Sequence, residues 1–266
     1  MSRPVDLPDF DNPPLNEVVL GVQFAPPRGY QSIYAKEIWE LFRKDFPKVQ
    51  ERPPFQPAFE TFGRLQARPS LSISQELHHN RFCFLSENGD EAIQFQKDRL
   101  FHNWRRVGDR VNPYPRFEKI LPSFESELST LDNYFTDFSS SRIHITQCEL
   151  SYINHIYLIE EDSESVDKWI RLVDIKNFSY EVLSFKFSKK LVDNQNNPYG
   201  RLFCEIDYFF NEIDEPLVVL SLTIRGIPRE PNIPASINFL RAGRETIVNF
   251  FCDITTEFAH KKWGKK

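Results

Sequence analysis

The sequence predicts an α+β protein made of two pseudo-repeated halves, each a strand, a helix, antiparallel strands and a longer helix. A strand-like run at 17–24 is followed by a helix-like segment at 31–46. A second strand-like run at 148–156 is followed by a helix-like segment at 165–173. Further strand-like runs follow each pair, and each half ends in a long amphipathic stretch, at 116–138 and at 236–261.

This pattern divides the chain at the serine run that follows position 138. We expect an extended arm at 1–14, because it is rich in Pro and Asp, and a first α+β half at 15–138. A linker at 139–143 and a second α+β half at 144–266 complete the predicted organisation.

The first half opens with a strand whose apolar residues alternate at Val18, Leu20, Val22 and Phe24, as expected when one face is buried. Pro47 closes the predicted helix that follows. Strand-like runs then come at 71–75, 81–85 and 92–96. Asn88-Gly89, between the last two, predicts a hairpin.

In the second half we expect strands at 181–187, 201–210 and 217–225, joined by turns at 194–200 and 214–216. The last helix has an apolar stripe that predicts a packed face. Its members are Ile237, Leu240, Ile247, Phe250, Phe251, Ile254 and Phe258.

Composition excludes several classes of protein. The net charge of -5 and the pI near 5.8 do not indicate a general nucleic-acid binder. The four cysteines (Cys83, Cys148, Cys204 and Cys252) lie in apolar runs without metal-ligand spacing, which predicts buried, reduced thiols. The N-terminal stretch is too polar for a signal peptide and no apolar run is long enough to cross a membrane, so we expect a cytoplasmic protein.

Several short motifs carry a resemblance to a known family. They are Asn12-Pro13-Pro14-Leu15-x-Glu17, Tyr152 and Asn154 within the strand-like run at 148–156, and Thr255 and Trp263 near the end. Together they resemble a sporadically distributed bacterial family of this length, without an assigned function, that opens with an Asn-x-Pro-hydrophobic-x-Glu motif. The resemblance implies a bacterial cytosolic protein, and the patchy distribution is typical of genes on mobile or defence islands.

The motif residues fit structural roles and binding roles alike. Pro13 and Pro14 hold the arm extended, and the Asn12 side chain can turn or cap the chain. Glu17 is either a surface charge or the partner of an inward arginine. Asn154 lies in an apolar strand, so an inward side chain needs hydrogen-bond partners, either in the core or on a ligand.

The stretch 97–116 mixes basic and aromatic side chains that can grip phosphates and stack on bases. It can equally contact an acidic protein partner or form a strand with one solvated, charged side. The candidate binding residues are Lys97, Arg99, His102, Trp104, Arg105, Arg106 and Arg110.

The sequence contains no hydrolase, P-loop, dinucleotide-binding or zinc-protease motif, so no catalytic residue and no cofactor is predicted. Glu205 and Asp207 lie two positions apart in a strand, which places both carboxylates on one face and makes them weak metal candidates.

These observations favour a non-enzymatic binding or interaction protein, an accessory component of a bacterial defence or stress operon. A protein partner or a second copy of the chain is expected, and no membrane. The alternative is a nucleic-acid-binding protein that uses 97–116, and a weaker one is a metal-dependent hydrolase or nuclease that uses Glu205 and Asp207.

Overall fold

Strands dominate the part of the chain that the computed structural model describes, which is residues 4, 6–56, 58–62, 80–108, 112–158, 165–172 and 180–266. The strands are β1 Leu15–Phe24, β2 Lys48–Arg52, β3 Arg81–Leu85, β4 Glu91–Gln96, β5 Arg99–Arg105, β6 Ile145–Tyr157, β7 Leu183–Val192, β8 Pro198–Phe210 and β9 Pro216–Gly226. The helices are α1 Ala35–Phe42, α2 Phe117–Ser139, α3 Val166–Trp169, α4 Ile233–Ile254 and α5 Glu257–Lys262.

All nine strands belong to one antiparallel sheet in the order β2-β3-β4-β5-β1-β6-β9-β8-β7. The prediction of an α+β protein with two repeated strand–helix–strands–helix halves is therefore wrong. The fold is mostly a single nine-stranded sheet with few helices, about 37% strand and 29% helix. The predicted strand at 71–75 lies outside the described residues.

The two strands that were expected to open separate halves pair with each other at the centre of the sheet. Val18 of β1 lies opposite Tyr152 of β6, Leu20 opposite Leu150, and Val22 opposite Cys148. On its other edge β1 pairs with β5, so its backbone is enclosed by strands on both sides. Because this pairing makes the sheet continuous, the two parts of the chain share one core.

The helices lie on one side of the sheet, here called the helix side. α2 packs against β5, and α4 packs against β6 and β9. Strand side chains alternate between faces, so Val18, Leu20 and Val22 point into this core and are fully buried. The same alternation sends Glu17, Val19 and Gln23 to the opposite face, here called the open side.

Local signals explain the turn between β3 and β4 and the start of α4. Gly89 has a φ of +73° in the turn that joins β3 to β4, so the hairpin predicted from Asn88-Gly89 is confirmed. α4 begins earlier than position 236, because the Asn232 side chain caps it by accepting the Ala235 N–H at 2.9 Å. α3 is much shorter than the predicted helix at 165–173 and has only four residues.

The cysteines behave as the sequence predicts, and all four are buried and unpaired. Burial raises the pKa of the Cys148 and Cys204 thiols to about 12. None of the helices in the described ranges is long and apolar enough to cross a membrane.

On the open side, Gly21 of β1 lies opposite Phe101 of β5, and the aromatic ring covers the glycine. A Cβ added at Gly21 would lie 2.0 Å from a ring atom of Phe101, so any larger residue must displace the ring.

We expect Gly21→Ala to lower the free energy of unfolding by roughly 1–3 kcal/mol, the usual cost of overpacking. The measurement is urea unfolding followed by circular dichroism. Gly243→Ala in α4 is the matched control: its Cβ would meet Leu150 at an ordinary 3.6 Å, and alanine favours a helix by about 1 kcal/mol. If Gly21→Ala lowers the free energy of unfolding by the same amount in a Phe101→Ala background, the Phe101 ring is not the cause of the destabilisation.

Candidate ligand-binding site

The N-terminal arm, here residues 6–14, pairs with the end of the chain. The Asp11 N–H donates to the carbonyl of Gly264 at 3.1 Å, and the Asn12 N–H donates to that of Trp263 at 3.0 Å. The Lys266 N–H in turn donates to the carbonyl of Asp9 at 2.9 Å. These bonds hold the arm across the helix side of the sheet.

Phe10 anchors the arm in an aromatic cluster. Its ring, 5% exposed, meets Phe251 edge-on at 5.6 Å and Trp263 at 6.1 Å between centroids. Trp263 in turn stacks on Phe251 at 5.3 Å. Such contacts combine a large buried apolar area with favourable ring geometry. We therefore expect Phe10 to contribute most of the free energy that holds the arm in place.

A cavity of about 60 Å³ lies beneath the arm, between the sheet and α4. This volume has room for a few water molecules or a small organic group. Its walls are mostly apolar and include Phe10, Leu15, Leu222, Ile247, Val248 and Phe251. Polar side chains from three separate parts of the chain also face it: Tyr114, Tyr152, Asn154 and Arg244.

These polar side chains form a connected group. The hydroxyls of Tyr114 and Tyr152 lie 3.3 Å apart, and Arg244 contacts the Tyr152 hydroxyl. Arg244 also donates to Glu118 at 2.7 Å and lies over the Phe117 ring at 5.1 Å. Burial raises the pKa of both tyrosines, so both phenols stay protonated and can donate hydrogen bonds.

A second arginine stands at the rim of the cavity. Arg116 donates to Asp9 at 2.7 Å and ties the arm to the start of α2. Its backbone has φ 76° and ψ 149°, a conformation that residues other than glycine rarely adopt and that costs roughly 1–3 kcal/mol. Asp9 and Glu118 compensate the two arginines, so this group carries no net charge.

The motif residues of the sequence analysis gather around this cavity. Pro13, Tyr152 and Asn154 line it, and Asn154 also donates to the carbonyl of Leu220 at 3.2 Å. Asn12 bonds through its backbone, and its side chain is exposed. The carbonyl of Pro14 accepts from the His155 N–H at 2.8 Å.

The remaining motif residues support the surroundings of the cavity. Thr255 ends α4 and donates to the carbonyl of Phe251 at 2.6 Å, and Trp263 packs on Phe10. Glu17 faces the open side, where its carboxylate accepts from Asn103 at 2.5 Å. Of the motif residues, Pro13, Leu15, Tyr152 and Asn154 line the cavity, whereas Glu17 lies on the opposite face of the sheet.

The structure does not bring the basic and aromatic side chains of 97–116 onto one surface. His102 and Trp104 are buried on the helix side, whereas Arg99 and Arg105 of the same strand face the open side. Arg99 is 3% exposed and pairs with Asp98, and Arg106 donates to the carbonyl of Leu15. Lys97 lies in the turn before β5, and Arg110 lies outside the described residues. Nucleic-acid binding stays a prediction, and the described members of this set do not form a continuous basic patch for it.

His102 is part of a buried ion pair that joins the sheet to α2. Its Nδ1 lies 2.9 and 3.0 Å from the two carboxylate oxygens of Glu127. Burial lowers the pKa of His102, but the charge and hydrogen bonds of Glu127 and the charge of Glu91 raise it. The effect of the carboxylates is the larger, so the pKa of His102 is raised overall.

The weak metal candidates are engaged with neighbouring strand residues. Lys186 donates to Glu205 at 3.2 Å, and Ser184 donates to Asp207 at 2.6 Å, both from β7. Within the described ranges, no three His, Cys, Asp or Glu side chains are grouped so that they could hold a metal ion.

No protein-family model, curated protein sequence or solved structure matches this chain. The resemblance to the bacterial family therefore stays a prediction.

Arg244 is not among the residues predicted from the sequence, although its position gives a signal. The core-facing residues of α4 include Ile237, Leu240, Ile247, Phe251 and Ile254, and position 244 continues this spacing. An arginine on an apolar stripe must find buried partners, so its presence indicates a polar network inside the fold.

We expect Phe10→Ala to release the arm and to lower the free energy of unfolding by about 3 kcal/mol, since a buried aromatic ring is lost. Urea unfolding gives this value, and limited proteolysis should show faster cleavage within the arm. Asn12→Ala is the matched control, because the bond to Trp263 uses the backbone; its cost should stay within about 0.5 kcal/mol. Equal costs for the two variants would contradict this role of Phe10.

The His102–Glu127 pair predicts a pH-dependent stability. Because the pKa of His102 is raised by folding, its contribution is complete below the unfolded value of about 6.5 and is lost as the pH rises through the folded value. The stability difference between the wild type and His102→Gln, from urea unfolding between about pH 5 and 9, should therefore shrink as the pH rises. The same comparison should be made in a Glu127→Gln background. If the effect of His102→Gln on stability still shrinks in the same way as the pH rises, Glu127 is not the partner that raises the pKa of His102.

Proposed function

We propose that the protein is a non-catalytic binding protein whose cavity beneath the arm takes a small, mostly apolar molecule with one hydrogen-bond-accepting group. The observation that carries this proposal is the meeting of Tyr114, Tyr152, Asn154 and Arg244 at one apolar cavity. An apolar pocket with a few convergent polar groups is the usual form of a small-molecule site.

The charges around the cavity define the class of ligand. Arg244 is paired with Glu118 and Arg116 with Asp9, so a charged ligand finds no uncompensated partner. The phenols and the guanidinium groups are donors, which favours a carbonyl or hydroxyl oxygen on the ligand. The apolar body of the ligand would then lie against Val248 and Phe251.

Two further features bear on the function of the cavity. The described residues that line it include no histidine, cysteine or serine, and the carboxylate among them, Asp9, is paired with Arg116. The strained backbone of Arg116, held by Asp9 of the arm, marks the rim as a functional site, because such strain is typical of ligand clamps and active sites. The buried, unpaired cysteines fit a protein of the cytoplasm.

Ligand-detected NMR with four small probes that suit a cavity of this volume tests this proposal: acetone and 2-propanol as neutral probes, acetate and isopropylamine as charged ones. We expect the neutral probes to bind and the charged ones to bind at least about tenfold more weakly, because desolvating an unpaired charge costs more than one hydrogen bond. Tyr152→Phe and Tyr114→Phe should each weaken binding by about three- to tenfold, the value of one hydrogen bond.

Tyr30→Phe is the control variant. Tyr30 is also a partly buried tyrosine, and it packs against Phe95 and Phe135 away from the cavity. Its substitution should leave probe binding unchanged. The proposal is refuted if Tyr30→Phe loses probe binding. It is also refuted if all four probes bind and Tyr152→Phe and Tyr114→Phe do not weaken their binding.

A further inference from the structure

The segments 53–56 and 58–62, here together called the strap, cross the open side of the sheet, on the face opposite the arm cavity. Successive strap residues bond to side chains of β4, β5, β1, β6 and then β8. An extended chain advances about 3.3 Å per residue and neighbouring strands lie about 4.8 Å apart, so these contacts fit an extended segment that runs across the strands.

The sheet contacts mainly the backbone of the strap. Gln96 accepts from the Phe55 N–H at 2.9 Å and donates to the Phe55 carbonyl at 3.2 Å. Arg99 donates to the carbonyl of Gln56 at 3.2 Å, and Gln23 to that of Ala58 at 2.8 Å.

The contacts continue on the neighbouring strands. Gln147 accepts from the Glu60 N–H at 3.4 Å, and Arg201 donates to the carbonyl of Thr61 at 2.9 Å. Gln96, Arg99, Gln23 and Gln147 are direct cross-strand neighbours and are each at most 6% exposed. They form a continuous buried row, here called the strap row. Bonds to backbone groups recognise an extended chain whatever its side chains are.

Two strap side chains add specificity. The Phe55 ring meets Phe101 at 5.8 Å and lies 3.7 Å from the guanidinium carbon of Arg81. Five positions later, the buried carboxylate of Glu60 accepts from Arg201 at 3.0 Å and lies 3.6 Å from Arg225.

The strap does not use every group of the row. The Oε1 atom of Gln23 is buried and, within the described part of the chain, has no hydrogen-bond partner. A buried acceptor without a donor costs roughly 1–3 kcal/mol, so a segment that supplies an N–H there would bind better than the strap.

We propose that the strap row is a recognition surface for an extended peptide of a partner protein, and that the strap competes with this peptide for the row. The partner segment carries an aromatic residue and, five positions later, a carboxylate. The aromatic residue takes the place of Phe55 between Phe101 and Arg81, and the carboxylate takes that of Glu60 between Arg201 and Arg225.

The test uses a fluorescent synthetic peptide with the sequence of residues 53–62, added to the full chain. Because the strap competes at a high effective concentration, the wild type should bind the peptide weakly. The double variant Phe55→Ala/Glu60→Gln, whose own strap is weakened, should bind it at least about tenfold more tightly in fluorescence anisotropy. Glu60→Gln alone, which keeps Phe55, should bind the peptide with an affinity between those of the wild type and the double variant. It replaces the double variant in the test if that variant does not fold.

Two controls make the result specific. Arg201→Gln, added to the strap-weakened chain, should abolish the gain, because it removes a partner of the carboxylate. A peptide with alanine and glutamine at the two anchor positions should not bind. The proposal fails if the folded variants, checked by circular dichroism, bind neither peptide at millimolar concentration or bind both equally. It also fails if the strap row of each variant binds only the strap of a second copy and not the peptide.

Discussion

The antiparallel pairing of β1 with β6 is the contact on which the rest of the structure depends. It joins residues more than a hundred positions apart in sequence and places Val18, Leu20, Leu150 and Tyr152 next to one another. Every other strand extends outward from this central pair, and α4 packs on β6. The pairing also sets the position of the cavity, because Leu15 of β1 and Tyr152 and Asn154 of β6 contribute to its wall.

The described helices lie on one face of the sheet, so its two faces have different environments. On the helix side, the described residues are nearly completely buried, and several polar groups there form connected sets such as Glu118–Arg244–Tyr152–Tyr114 and His102–Glu127. On the open side, long polar side chains are retained and bind the backbone of the strap. An antiparallel sheet permits this difference because successive side chains point to opposite faces.

The same alternation explains why a basic stretch of sequence does not form a basic surface. Arg99, Phe101 and Arg105 leave β5 on one face, whereas His102 and Trp104 leave it on the other. Their roles then depend on distant partners: Arg99 binds the strap, and His102 binds Glu127 of α2. Charge counted along the chain therefore says little about where that charge is presented.

The sequence alone determined the local elements: the alternating strand β1, the Asn88-Gly89 hairpin, the long helices α2 and α4, and the buried cysteines. These depend on periodicity and turn chemistry within a few residues. Only the tertiary structure decided that β1 and β6 pair in one sheet, that Asn12 and Trp263 meet, and that Arg244 joins two tyrosines at a cavity. Such contacts depend on which strands become neighbours, and strand pairing across a long separation leaves no fixed spacing in the sequence.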